Sequence, residues 1–319
     1  MKKYSIGIDI GGTNTIMGLV NNEGEILKTL SIKTNSFVIK DEYLNCVTEN
    51  IISLIEYCDN KDEISAIGIG APNGNYYRGT IEYAPNLNFK GIIPIKDYIK
   101  TILKRRGYNL DVIITNDANA AAIGEMLFGG AKGVKDFLMI TLGTGLGSGV
   151  VVDGKLVYGA SGFAGEVGHC IVQIEGRKCN CGRRGCAETY ASATGITNTA
   201  LELIKETTTP SSLRNINRKE IDSEKIYLSA LKNDALALKC FDITAKMLAI
   251  ALANASMITS PEKIFLFGGL SLSKDVLLKP LNKYFNEYIF SVFKDTIQIE
   301  ISQLNDKNAA ILGSAALAF

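Results

Sequence analysis

Two stretches of this chain, residues 4–24 (YSIGIDIGGTNTIMGLVNNEG) and residues 137–159 (FLMITLGTGLGSGVVVDGKLVYG), pass through the same succession of elements. Each reads as a short apolar strand, a glycine–threonine turn, a second strand and a second turn. This repeat constrains the fold more than any single motif, because two copies of one strand pair imply two halves built on one plan. A length of 319 residues suffices for two medium domains, each with its own core.

The segments after each copy alternate between strand and helix. The first copy is followed by a helical pattern at 44–58, the strand ISAIGIGAP (64–72), the strand DVIIT (111–115) and the helix NDANAAAIGEMLFGG (116–130). After the second copy, residues 195–260 are mostly helical in pattern, interrupted by the polar stretch TTTPSSLRNINRKE (207–220). The strand KIFLFGG, a helix through Leu281, the strand IQIEIS and the helix NAAILGSAALAF close the chain. This alternation predicts an α/β fold with a cleft between two similar halves. We expect an N-terminal lobe at 1–116, joined by the C-terminal helix at 305–319, and a larger lobe at 117–304.

Composition removes several function classes. The hydrophobic fraction of 46% and the charged fraction of 21% are those of an ordinary globular protein. With 34 basic and 33 acidic residues, the net charge of +1 gives no global pull toward nucleic acid or an anionic membrane. Asp9 and two glycines break the opening apolar run too early for a secretion signal. The segment Met247–Ile258 is too short to span a bilayer, contains Asn254, and reads as a buried helix. The expected setting is therefore cytoplasmic and reduced, where clustered cysteines read as metal ligands rather than disulfides.

Three glycine-rich turns each follow an expected strand: DIGGT (9–13), LGTGLGSG (142–149) and FGGLS (267–271). Glycine lets backbone N–H groups approach an anion, and a threonine hydroxyl adds a donor. One such turn alone is ordinary hairpin chemistry. None matches the lysine-bearing phosphate loop or the dinucleotide fingerprint, and GTGLGS leads into a strand rather than a helix. Three of them at strand ends in duplicated halves are better explained by a nucleotide gripped between two lobes.

The segment GHCIVQIEGRKCNCGRRGC (168–186) holds the only histidine and four of the seven cysteines. The spacing H-x9-C-x-C-x4-C supplies His169, Cys179, Cys181 and Cys186, a set suited to tetrahedral zinc in a closed, structural site. Cys170 is a rival ligand, but its side chain is expected to point away from that of His169, and it reads as a buried free thiol. Cys46, Cys58 and Cys240 lie in helical patterns and read as core.

IGIDIGGTNT, TNDANAAAIGE, TLGTGLGSG, AGEVGH and CNCGRRGCAE occur in that order, and together they closely resemble the ROK family (repressors, open reading frames, kinases). The resemblance covers the chain from residue 6 to the C-terminal helix, and its cysteine motif is the most specific part. It implies a two-lobed, actin-like ATPase (ribonuclease H-like) fold. It also implies an ATP-dependent hexose kinase acting at the sugar 6-hydroxyl, with glucose the first choice of substrate. Asp117 is then the general base, and one carboxylate aimed at the nucleophile is what phosphoryl transfer asks of a side chain. A helix cap is the other reading of Asp117.

Asn86, Asn116, Glu166, His169 and Glu188 resemble the family residues that hold sugar hydroxyls, a task for groups that hydrogen-bond directionally. Asn86 also reads as a turn asparagine. Asp9 resembles a metal-proximal aspartate acting on Mg²⁺ through water, or else it caps its turn. Gly11, Gly12, Thr13, Gly143, Thr144, Gly145, Gly268 and Gly269 would hold ATP. His169 would put one ring nitrogen on zinc and leave the other to the sugar.

Asn14 stands where many relatives carry lysine, APNG (71–74) replaces a proline-glycine-proline turn, and Phe89 stands where tryptophan is frequent. These departures leave the sugar open among glucose, N-acetylmannosamine, N-acetylglucosamine and fructose. The family is commonly oligomeric, which implies a dimer or tetramer. It also contains sugar-responsive transcriptional regulators with an added N-terminal helix-turn-helix, for which a turn beginning by residue 9 leaves no room. A nucleic-acid-binding zinc ribbon draws on Arg177, Lys178, Arg183 and Arg184, but it lacks paired C-x2-C knuckles and stacking aromatics. No nucleic-acid or membrane partner is therefore expected.

Overall fold

The computed structural model describes residues 2–304 and 309–319, so the expected start of the C-terminal helix at 305–308 lies outside the described residues. Along the chain run β1 (Tyr4–Ile10), β2 (Thr15–Asn21), β3 (Ile26–Ile32), α1 (Lys40–Tyr57), β4 (Ile64–Gly70), β5 (Gly74–Asn75), β6 (Thr80–Glu82), β7 (Ile92–Ile93), α2 (Ile95–Arg105), β8 (Asp111–Thr115) and α3 (Asp117–Phe128). They continue with β9 (Phe137–Leu142), β10 (Leu146–Val152), β11 (Lys155–Leu156), α4 (Ala193–Glu206), α5 (Ser223–Ala230), α6 (Ala235–Thr259), β12 (Lys263–Phe267), α7 (Asp275–Tyr288), β13 (Gln298–Ile301) and α8 (Ala309–Ala316).

The chain forms two compact units, one of residues 1–133, 156–164 and 303–319, the other of residues 134–155 and 165–302. The first carries a five-stranded sheet of order β3-β2-β1-β4-β8, the second one of order β11-β10-β9-β12-β13. In both, the first two strands pair antiparallel and the last two join in parallel. The duplicated plan read from the sequence is therefore present strand for strand.

In the first unit the central strands β1 and β4 are covered on both faces and are buried almost throughout, whereas the edge strand β3 is largely exposed. One face of β1 and β4 presents Ile6, Ile8, Ile67 and Ile69 to a core shared with Tyr43, Leu44, Ile51, Ile99 and Leu103. The opposite face of the same strands carries glycine, for a steric reason. A Cβ on Gly68 would overlap the Ser314 carbonyl oxygen, and one on Gly7 would overlap the carbonyl oxygen of Ile311. Strand alternation thus writes one layer in isoleucine and the other in glycine, and α8 lies on the glycines. Helices α3 and α8 also meet at small residues, since a Cβ on Gly124 would come 2.7 Å from the Gly313 Cα. Gly68→Ala should therefore destabilise the protein by about 3 kcal/mol through overpacking, read as a lower urea midpoint with an unchanged slope.

Several expectations need correction. The lobe boundary was placed at 116/117, but the first compact unit runs to Gly133, because α3 packs on α8 through these glycines. The helix expected through Leu281 continues past Pro280 to Tyr288. The apolar segment Met247–Ile258 is buried only in part, for Met257 and Ile258 are exposed at the end of α6. Cys58 and Cys240 are core, whereas Cys46 is half-buried. Among the described residues, no helix is long and apolar enough to cross a membrane.

Candidate active site

In the first unit, β8 ends at Thr115 and the chain turns through Asn116 into α3. Asn116 is the cap, its Oδ1 accepting the Asn119 N–H at 2.6 Å. Asp117 is the first helical residue instead, and its Oδ1 accepts the N–H of Ala118 at 2.9 Å. A carboxylate suits that end of a helix, where unpaired N–H groups and the helix dipole favour negative charge. Gly70 ends β4 below it, and a Cβ there would come 3.8 Å from the Asp117 Cα. Asp9 of β1 lies in register with Gly70, and Gly70 with Thr115.

The strand ends thus gather two acids around one glycine, and their protonation reflects it. Burial pushes Asp9 up to about 7, with the charge of Asp117 adding to the effect. Asp117 is open to solvent, yet enough protein surrounds it that desolvation raises its carboxyl too, against the pull of the Ala118 N–H.

The Gly11–Thr13 turn follows Asp9 directly. The Gly11 N–H donates to the Asn14 carbonyl at 2.9 Å. A Cβ on Gly12 would lie 2.5 Å from the Asn86 carbonyl oxygen, so glycine there is what admits the Asn86 backbone. Thr13 and Asn86 are both exposed. The structure thereby brings together Asp9, the first turn and Asn86, and places Asp117 over the neighbouring strand.

The second unit holds the other turns and the cysteine segment. Gly268 adopts a φ of +96°, where a side chain would be strained, and a Cβ on it would meet the Leu142 carbonyl oxygen at 2.8 Å. That contact sets the Gly268–Gly269 turn against the residue preceding Gly143. The N–H of Ala193, at the start of α4, donates to the Gly143 carbonyl at 2.9 Å.

The ligand atoms of His169, Cys179, Cys181 and Cys186 all lie within 4.8 Å of one another. Cys179 Sγ is 3.7 Å from His169 Nδ1, and Cys181 Sγ is 3.6 Å from Cys186 Sγ. Zinc bonds of about 2.3 Å to sulfur and 2.0 Å to nitrogen span tetrahedral edges of about 3.5–3.8 Å, so these donors fit that ion. The arrangement puts His169 Nδ1 toward the cluster. Cys170 stands outside it, but it is exposed rather than buried, because it follows a short helical turn that sends its side chain outward. Glu166 is exposed beside that turn, and Glu188 is half-buried with Oε2 accepting the Leu146 N–H at 3.1 Å.

The three arginines of this segment make structural hydrogen bonds. Arg177 grips α4, donating to both carboxylate oxygens of Glu202 and to Thr189 O, Gly195 O and Thr199 Oγ1, while stacking 4.4 Å from the Tyr190 ring centroid. Arg183 donates to the His169 carbonyl at 2.9 Å, and Arg184 to the Gly176 carbonyl at 3.2 Å. With every donor used, the Arg177 guanidinium offers nothing to a phosphate backbone, whereas Arg183 and Arg184 are exposed. Arg177, which in sequence counts toward a basic nucleic-acid ribbon, is instead a structural tie to α4, and Gly70 is a site residue that no motif marks. The alternate glycines of IGIDIGG and AIGIG were the available signal for Gly70.

A model of the ROK family matches residues 5–319. The chain belongs to the ROK family. Among ROK proteins, a glucokinase of Halalkalibacterium halodurans is 36% identical over 99% of this chain and 94% of its own. The structure of a ROK family glucokinase from Streptomyces griseus in complex with glucose and AMPPNP is 32% identical, has a TM-score of 0.79, and is covered over 99% of both chains. A xylose repressor of Caldicellulosiruptor bescii is 30% identical over 98% of this chain but 77% of its own length. The ROK chain has the actin-like fold that its motifs imply, with the sheet duplication described above.

Proposed function

We propose that this chain is an ATP-dependent hexose kinase that transfers the γ-phosphoryl group to the 6-hydroxyl of glucose, with Asp117 as general base. The observation that carries the reading is the Asp9–Gly70–Asp117 arrangement: two acids at strand ends, one of them on a helix N-terminus. Similarity to glucokinases across the whole chain supports the choice of sugar.

In this reading Asn86, Asn116, Glu166, His169 and Glu188 hold the sugar hydroxyls. Asp117 orients O6 and accepts its proton as the bond from O6 to the γ-phosphorus forms and the bond from that phosphorus to the ADP oxygen breaks. In the turns Gly11–Thr13, Gly143–Gly145 and Gly268–Gly269, the Gly11 and Gly143 N–H groups close their own turns and the remaining backbone would face the phosphates. Mg²⁺, when bound near Asp9, would neutralise phosphate charge. His169, Cys179, Cys181 and Cys186 would hold a structural zinc ion. A cytoplasmic location and a dimeric or tetrameric assembly belong to the same reading.

Because desolvation raises the Asp117 carboxyl, its base form is lost at a higher pH than an ordinary carboxylate's. We expect kcat to fall on the acid side with an apparent pKa above about 4, measured in a pH profile at saturating glucose and ATP. An acid limb at or below the ordinary carboxylate value contradicts the assignment.

Similarity to xylose repressors favours a second reading, a sugar-responsive regulator. Steady-state rates on glucose, N-acetylmannosamine, N-acetylglucosamine and fructose separate the two. Turnover supports the kinase and ranks its sugars, whereas sugar binding without turnover supports the regulator.

A further inference from the structure

We propose that Glu188 is a bracket between the metal cluster and the Gly143–Leu146 turn, so that metal occupancy shapes the phosphate-donor site as well as the sugar site. The inference rests on reading that turn as a phosphate turn, and it assigns Glu188 a positioning role beyond holding a sugar hydroxyl.

The two oxygens of Glu188 face two neighbours. Oε1 lies 3.8 Å from Cys179 Sγ, and Oε2 accepts the Leu146 N–H at 3.1 Å. A Cβ on Gly145 would overlap Oε2, so the second glycine of GTG is required by the carboxylate behind it and not only by an anion in front. The histidine arm packs against the next peptide along, because a Cβ on Gly168 would overlap the Leu146 carbonyl oxygen. Leu146 itself is 4% exposed. The Leu146 backbone thus lies between Gly168–His169 on its carbonyl side and Glu188 on its N–H side, residues of the two arms that the cluster joins.

The rest of the turn is tied to the same arm. Ser192 Oγ donates to the Glu188 carbonyl at 2.8 Å and accepts the Gly195 N–H at 2.9 Å, capping α4. The next residue, Ala193, donates its N–H to Gly143 O. Both ends of the turn therefore depend on where Glu188 sits, and Glu188 sits against Cys179. Once a metal holds Cys179 and His169 at fixed separation, both arms lose freedom, and so does the turn. Without it, each arm moves independently and the N–H groups of the turn lose their common aim.

The test is amide hydrogen exchange at Leu146, read with affinity for Mg²⁺–AMPPNP. The samples are zinc-loaded wild type, wild type stripped with a chelator, Glu188→Ala and Glu188→Gln. Stripping and Glu188→Ala should each speed Leu146 exchange about tenfold or more, the worth of one hydrogen bond to a charged acceptor, and should weaken AMPPNP binding. Glu188→Gln keeps an acceptor oxygen and should stay within about threefold of wild type in both. Stripping the Glu188→Ala protein should add little, because the two losses share one route.

Loss of glucose affinity alone in Glu188→Ala, with Leu146 exchange and AMPPNP affinity within about twofold of wild type, overturns the proposal. Faster exchange at Ile140 and Leu266 would show that stripping has loosened the whole sheet, and the zinc-loaded Ala and Gln variants then decide. A wild-type protein that binds no AMPPNP fails the kinase reading instead, and Leu146 exchange decides the bracket by itself.

Discussion

Asp117→Asn is expected to lower kcat by about a thousandfold or more, the upper range of what a general base contributes. Glucose affinity should stay within about tenfold, because the loss is confined to a transition-state role. The substitution keeps the shape of the side chain and can still accept a hydrogen bond from the Ala118 N–H, but it removes the basic oxygen. Stability separates this outcome from a general weakening of the fold. A carboxyl whose folded pKa is raised stabilises fully only below its unfolded pKa, and that contribution is lost as pH rises through the folded value. Asp117 is in that class. At pH 8 its ionised form is a cost that asparagine removes, so the variant should melt no lower than wild type. A variant with near-normal kcat would put the base elsewhere, and one that melts far lower would make Asp117 structural.

Cys186→Ala is expected to abolish zinc binding and to destabilise the second unit by more than about 4 kcal/mol, the range reached when a metal site is lost. Cys186 is fully buried and shares a 3.6 Å sulfur–sulfur edge with Cys181. Its loss leaves two thiols and an imidazole with no common partner. Because His169 and Glu188 flank the cluster, glucose affinity should fall by about ten- to a hundredfold, as when the groups that orient a site are removed. Metal analysis and thermal melts with and without chelator check the first part, and glucose titration checks the second. A metal-free protein that keeps its melting temperature and its sugar affinity would make the cluster irrelevant to the pocket.

The duplicated sheet was legible because its two copies repeat a local pattern of strand, turn and strand, which needs no tertiary information. The cysteine cluster was legible for the same reason, since ligand identity and spacing carry it. Four features were not. The lobe boundary depends on α3 meeting α8, a contact between residues far apart in sequence, encoded only in the small side chains of Gly124 and Gly313. The cap of α3 is Asn116 rather than Asp117, a difference of one residue that backbone geometry decides. Arg177 counts in sequence toward a basic zinc ribbon because nothing near it reveals Glu202 or Thr199, which are brought to it by α4. Cys170 was expected inside and lies outside, because the short helical turn that ends at His169 controls where it points.

The central claim is tested most directly by incubating the zinc-loaded protein with glucose, ATP and Mg²⁺ and following the products, beside Asp117→Asn as control. The account predicts glucose 6-phosphate and ADP in equal amounts from the wild-type protein, and almost none from the variant. No phosphorylated hexose from glucose or from any other hexose tested, under conditions where the protein binds sugar, would contradict it.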